Sequence, residues 1–271
     1  MNRRSFPSAV LILVAALGPA SQLRAYPGGT PRVVTNAAPY CTTCHSSASA
    51  EQLRDMAAEA VPGMLPEKRH YGEIAGGEED YAKLTPADRE KLLAAVKAVD
   101  ANSRVELSVS ANRVKRLDPL TATVTTKGGA GPVVGVMLTD TDLRFQASPV
   151  QVEGFLITRA PAVTGPDGKL QSRFLDGRVK ELSKNINYVN IQDVKSDAVA
   201  GVYPQCKVVY TLRAPAEPGA YTISAAFLYG TEKASPLGRV EAPGGRLLPL
   251  GGQGAHSGRV QFAKPIKITV D

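Results

Sequence analysis

Residues 206–212 read Cys-Lys-Val-Val-Tyr-Thr-Leu, and residues 221–229 read Tyr-Thr-Ile-Ser-Ala-Ala-Phe-Leu-Tyr. The second run has apolar or aromatic residues at every other position, namely Tyr221, Ile223, Ala225, Phe227 and Tyr229. A period of two is typical of a β-strand that turns one face to a core. The two runs therefore predict two strands of a sheet with one buried face.

The same alternation recurs on both sides of these two runs, between residues 103 and 271. Further candidate strands lie at 105–109, 120–126, 133–138 and 266–270. Turn residues such as Gly128-Gly129 and Pro218-Gly219 separate the runs. About seven short strands of this kind predict an all-β two-sheet sandwich over 103–271. An irregular insertion is expected around 139–200, where the alternation is lost.

The residues before position 103 have a different composition and predict helices. Residues 50–60 are helix formers throughout, with apolar positions on one face. Thr85 is a favourable N-cap and Pro86 a favourable first helical residue, and Leu92, Val96 and Val99 follow at helical spacing. The fold class predicted is therefore α+β in two domains, a small all-α domain at 26–102 and an all-β domain at 103–271.

The chemistry is concentrated in one short motif, Cys41-Thr42-Thr43-Cys44-His45. Two thiols three residues apart can each bond a vinyl-derived carbon of one porphyrin, and the histidine that follows can hold the iron axially. We expect one covalent haem c, with Cys41 and Cys44 as the thioether residues and His45 as the proximal ligand. No nucleophile, acid–base pair or phosphate loop indicates an enzyme.

Other uses of a Cys-x-x-Cys pair fit this sequence less well. A structural zinc site would need two more Cys or His ligands at short range, but the chain has only three cysteines and three histidines, and the third cysteine lies far downstream. A thioredoxin-like pair belongs at a strand-to-helix turn of a βαβ unit, which is not indicated here. The third cysteine, Cys206, is expected to be a buried apolar thiol, with an intermolecular disulfide as the alternative.

The first 25 residues resemble a secretory signal peptide. Arg3 and Arg4 precede the apolar run Ala9–Leu17, and small residues follow at positions 20 and 25. The run is too short to span a bilayer. We expect export to the periplasm or beyond, and a mature protein that is soluble and has no membrane span.

Residues 36–102 resemble a small monohaem c-type cytochrome. The resemblance lies in the haem motif, the loop that follows it, and Leu84-Thr85-Pro86-Ala87-Asp88 at the start of a helix. The sequence Pro218-Gly219-Ala220-Tyr221 before an alternating run resembles a late strand of the immunoglobulin-like domains of exported bacterial proteins. The resemblances imply a cytochrome c-like haem domain fused to an immunoglobulin-like β-sandwich.

The distal iron ligand is not settled by the sequence. The cytochrome resemblance implies a methionine, sometimes a histidine, and sometimes no protein ligand. Met64 follows a Pro-Gly turn, and His70 lies in the same segment. Both are candidate distal ligands, and an open position is the third possibility.

The function expected is one-electron transfer to a redox partner protein, with the β domain positioning the haem domain. Two alternatives stay open: a haem-based ligand binder or sensor with an open sixth position, and a haem subunit of a larger oxidoreductase. The formal net charge is +7, but residues 26–102 carry 8 basic against 11 acidic side chains. The basic residues elsewhere are dispersed, which speaks against nucleic-acid binding.

Overall fold

The computed structural model describes residues 66–142, 147–171, 187–232, 239–242, 246–249 and 258–271. Two α-helices lie in this described part, α1 (Pro66–Gly76) and α2 (Pro86–Asn102), with short 3-10 helices at Glu79–Lys83 and Val150–Glu153. The strands described are β1 (Arg104–Val109), β2 (Arg113–Val114), β3 (Pro119–Lys127), β4 (Ala130–Thr139), β5 (Leu156–Ile157), β6 (Ala162–Thr164), β7 (Tyr188–Lys195), β8 (Gln205–Arg213), β9 (Gly219–Gly230), β10 (Arg239–Ala242), β11 (Arg246–Pro249), β12 (Gly258–Phe262) and β13 (Ile266–Val270).

The larger strands form two sheets. The first has the order β1-β3-β8-β5, with β6 also paired to β8. The second has the order β2-β13-β9-β4-β7, with β12 also paired to β9. Pairing is antiparallel except between β2 and β13. Strands β10 and β11 pair separately.

The core lies between the two sheets, because each sheet turns one apolar face inward. Strand β3 buries every second residue, and β8 does the same in register with it, so that Val124 lies opposite Val208. The second sheet contributes the alternating positions Val134, Val136 and Leu138 of β4. Full burial of a valine or leucine side chain contributes about 1.5–3 kcal/mol. The sandwich thus follows from the alternation seen in the sequence.

The second sheet is also buried on its outer face. A separate apolar cluster there consists of Met137, Tyr188, Ala226, Leu228 and Val260. Strand β9 is consequently buried on both sides over its last eight residues. The sequence pattern predicts the inward face of β9 correctly, but it gives no sign that the outward face is covered as well.

Residues 66–102 pack against the sandwich. Helix α2 begins where the sequence predicts, since Thr85 accepts a hydrogen bond from the backbone N–H of Asp88 at 3.2 Å. The buried side chains of Ile74, Tyr81 and Val96 hold the helices together. Val99, one turn further along α2, belongs to the main core between the sheets.

The end of α2 is joined to the turn between β3 and β4. The hydroxyl of Ser103 donates to the carbonyl of Val99 at 2.7 Å and accepts from the backbone N–H of Gly129 at 2.7 Å. Gly128 and Gly129 both have φ above +70°. A side chain at position 129 would place its Cβ 2.7 Å from that of Tyr229. The turn therefore requires glycine for its backbone conformation and for space.

Strand β7 lies at one end of the second sheet, and a side chain occupies part of its free edge. The amide of Gln171 donates to the carbonyl of Gln192 at 3.2 Å, and its oxygen accepts from the N–H of the same residue at 3.1 Å. The two bonds imitate the pairing of a neighbouring strand. Residues 139–200, for which no pattern is evident in the sequence, thus supply β5, β6 and β7.

The expected α+β arrangement of a small all-α cytochrome c-like haem domain followed by an immunoglobulin-like sandwich is wrong. The described part of residues 26–102 consists of two helices and a 3-10 turn that pack on a predominantly β structure. Within the described residues no group of three or more His, Cys, Asp or Glu side chains is placed to hold a metal ion. Helical spacing at Leu92, Val96 and Val99 specifies an apolar face but not its partners, which are the first helix and the 3-10 turn for Leu92 and Val96 and the core between the sheets for Val99.

The lengths and the hydropathy of the described helices can be compared with what a membrane span requires. None of those in the described part of the chain is both long enough and apolar enough to cross a bilayer.

Candidate functional site

Most of the residues singled out in the sequence lie outside the described part of the chain. Cys41, Cys44, His45 and Met64 all precede residue 66, so their predicted roles stay predictions. His70 is described, in the second turn of α1, and its side chain is almost completely buried. It lies in a buried polar region between the helices and the sheets.

The buried polar region is hereafter the His70–Arg259 network. Its central members are His70, Tyr81, Asp100, Glu232 and Arg259. They come from α1, the 3-10 helix, the last turn of α2, the residues after β9, and β12. These segments are far apart in the sequence, and the network is what joins them.

Arg259 determines which ring nitrogen of His70 accepts a hydrogen bond. Its Nη2 lies 3.0 Å from Nδ1 of His70. A guanidinium nitrogen can only donate, so Nδ1 accepts and the ring N–H lies on Nε2. That Nε2–H faces the hydroxyl of Tyr81 at 2.8 Å and Oε1 of Glu232 at 3.0 Å. Protonation of Nδ1 would set two donors against each other.

The buried guanidinium of Arg259 is paired with Asp100. Its Nη2 lies 3.0 Å from Oδ2, and its Nε lies 3.1 Å from Oδ1. Burial opposes the charge of Arg259, but the adjacent carboxylate outweighs burial and raises the pKa of Arg259. Asp100 also accepts from the hydroxyls of Tyr71 at 2.8 Å and Tyr229 at 3.3 Å. Burial, with the charge of Asp100, raises the pKa of Tyr229 well above its usual value, so that Tyr229 remains a donor.

Glu232 is the second carboxylate of the network. Burial alone would raise its pKa, but the hydrogen bond and the charge of His70, with hydrogen bonds from Tyr81 and Thr231, outweigh burial and lower it to about 2. Tyr81 donates to Oε1 at 2.6 Å and Thr231 to Oε2 at 2.8 Å. The side chain is therefore an ionised carboxylate at neutral pH, held by His70, Tyr81 and Thr231.

This environment bears on the predicted role of His70 as an iron ligand. A neutral imidazole binds iron through the lone pair of its unprotonated nitrogen. In His70 that nitrogen, Nδ1, already accepts from Arg259, and Nε2 carries the proton. Ligation would require the ring to leave one set of partners, at the expense of buried hydrogen bonds.

A cavity of about 450 Å³ adjoins the network. One wall is an apolar face of α2, formed by Leu92, Val96 and Val99. The polar part of the lining includes Lys195, Asp197 and Glu232. The cavity lies in the size range of small-molecule sites, and Glu232 belongs both to it and to the network.

Cys206 is placed as the sequence predicts, as a free thiol buried in the core. Burial is the main cause that raises its pKa to about 11, so that the thiol stays protonated at neutral pH. A buried and protonated thiol is a poor nucleophile. Its location in the core between the sheets agrees with a packing role.

Sequence reasoning did not find the other members of the network. More than a hundred positions separate Asp100 from both Glu232 and Arg259, and no spacing rule connects the three residues. The one available signal is local: Arg259 opens the alternating run Arg259-Val260-Gln261-Phe262, and a charged residue inside a buried strand needs a partner. The identity of that partner could be read only from the fold.

Comparisons with known proteins give weak likenesses to solved structures. No family model matches the chain, and no curated protein matches it. Among solved structures, the N-terminal domain of the Streptococcus gordonii adhesin Sgo0707 is similar at 12% identity and a TM-score of 0.34, over 64% of this chain and 33% of that one.

Two further solved structures have comparable scores. The C-terminal domain of the Streptococcus pyogenes antigen I/II-family protein AspA has 10% identity and a TM-score of 0.28, over 62% of this chain and 46% of that one. BslA, a bacterial hydrophobin, has 9% identity and a TM-score of 0.27, over 63% of this chain and 95% of that one. The chain thus spans less than half the length of the two streptococcal chains, and likenesses this weak carry no inference about function.

Proposed function

We propose that this chain binds one covalent haem through Cys41 and Cys44, with His45 as an axial ligand, and passes single electrons to a partner protein in the periplasm or another exported compartment. The observation that carries the proposal is the sequence Cys41-Thr42-Thr43-Cys44-His45. It requires the attachment motif only, and no cytochrome c fold.

The donor set fits the group. Two thiols at this spacing suit two vinyl-derived carbons, and the neighbouring imidazole is a suitable iron ligand. When bound, a haem supplies reversible one-electron chemistry at its iron. The protein's part is to hold the group covalently and to present it to a partner. The N-terminal signal-like segment agrees with export.

The sixth ligand is either Met64, His70 or none. Both nitrogens of His70 are engaged within the network, which favours Met64 or an open position. An open position would support the second candidate function, binding of a small gaseous ligand at the iron. A ferrous spectrum with and without carbon monoxide separates the two functions, because a six-coordinate electron carrier does not bind it.

Covalent attachment is tested by co-expressing the full chain with a c-type haem maturation system. A pyridine haemochrome spectrum and an intact mass should both show one haem per chain. Cys41→Ser and Cys44→Ser should lose the double thioether signature, whereas the matched control Cys206→Ser should keep it. Protein of bare-polypeptide mass, obtained while a known haem protein matures in the same cells, would refute the proposal.

A further inference from the structure

We infer that one end of the sandwich docks on the surface of an anionic lipid bilayer. This end is formed by residues 113–119, 150–159 and 213–219, and it is hereafter the Pro215 end. The inference is independent of the haem motif and of the His70–Arg259 network, because none of their residues belongs to this end.

The three segments of the Pro215 end form one contiguous surface. The backbone N–H of Leu117 donates to the carbonyl of Pro215 at 3.3 Å. A Cβ added at Gly154 would lie 3.3 Å from that of Pro215. Arg213, two residues before Pro215, pairs across the first sheet with Leu156 of β5. Each segment therefore lies against the same proline or its neighbours.

All three segments expose apolar side chains to solvent. Leu117 is 51% exposed, Val152 is 62% exposed and Leu156 is 42% exposed. The same surface also exposes Pro119, Ala216 and Pro218. Single exposed apolar residues are ordinary on a protein surface. A contiguous group of them is typical of an interaction site with a protein or a membrane.

Leu117 has a backbone conformation that leucine rarely adopts. Its φ is +62°, and it is the third residue of a turn in which the N–H of Asp118 donates to the carbonyl of Lys115 at 3.1 Å. Glycine or asparagine is usual at such a position, because a left-handed φ is unfavourable for a large side chain. The turn therefore holds an exposed leucine at a conformational cost, which favours a role in binding.

The exposed charges of the Pro215 end are mostly positive. Four exposed cations belong to its segments, Lys115, Arg116, Arg159 and Arg213. Among its carboxylates, that of Glu217 is exposed, whereas Asp118 and Glu153 are half-buried. Asp118 also accepts from a backbone N–H of its own turn at 3.2 Å. Arg113 and Asp271 pair with each other and offset their charges.

This combination of side chains matches an anionic bilayer. Aliphatic side chains enter the boundary between headgroups and acyl chains, and nearby lysine and arginine side chains attract anionic headgroups. Leu117 and Val152 stand on a turn and on a 3-10 helix, so that they can enter a fluid surface that has no preformed pocket. A protein partner would instead have to supply a pocket for each of them.

The first experiment uses the full chain with a tryptophan introduced at the Pro215 end. The chain has no tryptophan of its own, so Val152→Trp reports only on its own surroundings. With vesicles that contain phosphatidylglycerol, we expect its emission to shift to the blue and to be quenched by brominated acyl chains. Vesicles of phosphatidylcholine alone should give a much smaller change.

Leu170→Trp is the matched control at the other end of the sandwich. Leu170 is 75% exposed. It lies opposite Thr164, which pairs with Lys207 near the start of β8, whereas the Pro215 end lies at the end of that strand. Emission from Leu170→Trp should not respond to either kind of vesicle.

The second experiment separates binding from folding through Leu117→Asn. Asparagine tolerates a left-handed φ better than leucine, so the midpoint of urea unfolding should stay the same or rise. Vesicle affinity should nevertheless fall about fivefold, because the apolar tip is lost. Leu170→Asn should leave the affinity unchanged. Lys115→Gln combined with Arg116→Gln should lower it by about fivefold for each cation removed.

Flotation of the chain without a tryptophan, with the same vesicles, gives the same comparison if Val152→Trp does not fold. Four results would each overturn the inference: no response of Val152→Trp to phosphatidylglycerol, equal binding without the anionic lipid, an affinity unchanged by Leu117→Asn, or an equal response of Leu170→Trp. The first of these would assign the exposed leucine to a protein partner instead.

Discussion

Replacing Arg259 by methionine should destabilise the fold strongly, because it leaves a buried carboxylate without its cation. The guanidinium is almost fully buried, and the side chain of its partner Asp100 is only 14% exposed. Removing one member of a buried pair typically costs 3–5 kcal/mol. Asp100 keeps the hydroxyls of Tyr71 and Tyr229 as donors, so we expect a loss of about 3 kcal/mol, the lower end of that range.

The second half of the prediction concerns the double variant. Arg259→Met combined with Asp100→Leu removes both charges and should recover about 2 kcal/mol of the loss, since an apolar pair can replace a buried ion pair. Recovery stays incomplete because Nδ1 of His70 loses its donor in both variants. Asp100→Leu alone completes the cycle.

The assay is urea unfolding followed by circular dichroism, with the slope compared between variants to check that compactness is unchanged. Arg113→Met serves as the control. Arg113 makes a slightly shorter contact with Asp271, 2.8 Å, but both side chains are largely exposed, and exposed pairs contribute little. A loss of under about 1 kcal/mol for Arg259→Met, or a double variant as unstable as the sum of the singles, would refute the reasoning.

Three further results are expected. The contribution of Glu232 to the free energy of unfolding should be constant above pH 4.5 and fall as the pH drops toward 2, because the pKa of Glu232 is about 2 in the fold against an ordinary 4.5. Glu232→Gln should reduce this loss of stability at acid pH in urea melts. An unchanged pH dependence would contradict the assignment. Cys206 should not react with a thiol reagent at pH 8 until the protein unfolds, because its pKa is about 11 and it is buried; rapid labelling of folded protein would contradict its place in the core. Thr85→Ala should cost about 1 kcal/mol in the same unfolding assay by removing the N-cap of α2. Thr85→Ser should retain most of the stability, and equal losses for the two variants would show that the cap is not the cause.

Strands β8 and β9 were predictable because the information that specifies them is local. Alternation at 206–212 and 221–229 marks the inward faces of β8 and β9, and both faces point into the core as expected. The start of α2 was predictable for the same reason, since Thr85 and Pro86 act within one turn.

The arrangement of the helices was not predictable in the same way. Val96 and Val99 form an apolar face that would suit a cofactor or a sheet equally well, and only tertiary packing decides between them. The network that joins His70 to Arg259 depends on contacts across 189 positions. Such contacts leave no periodic trace in a single sequence, so nothing in the sequence contradicted the cytochrome-like interpretation of residues 36–102.

The side-chain amide of Gln171 blocks part of the edge of the second sheet at β7. By occupying both backbone groups of Gln192 on the outer side of β7, it denies them to a strand from another molecule. Exposed strand edges are where folded β proteins begin to self-associate. We therefore expect the uncharged side chain of Gln171 to help keep the protein monodisperse at high concentration. Gln171→Ala should favour fibre-like association along this edge.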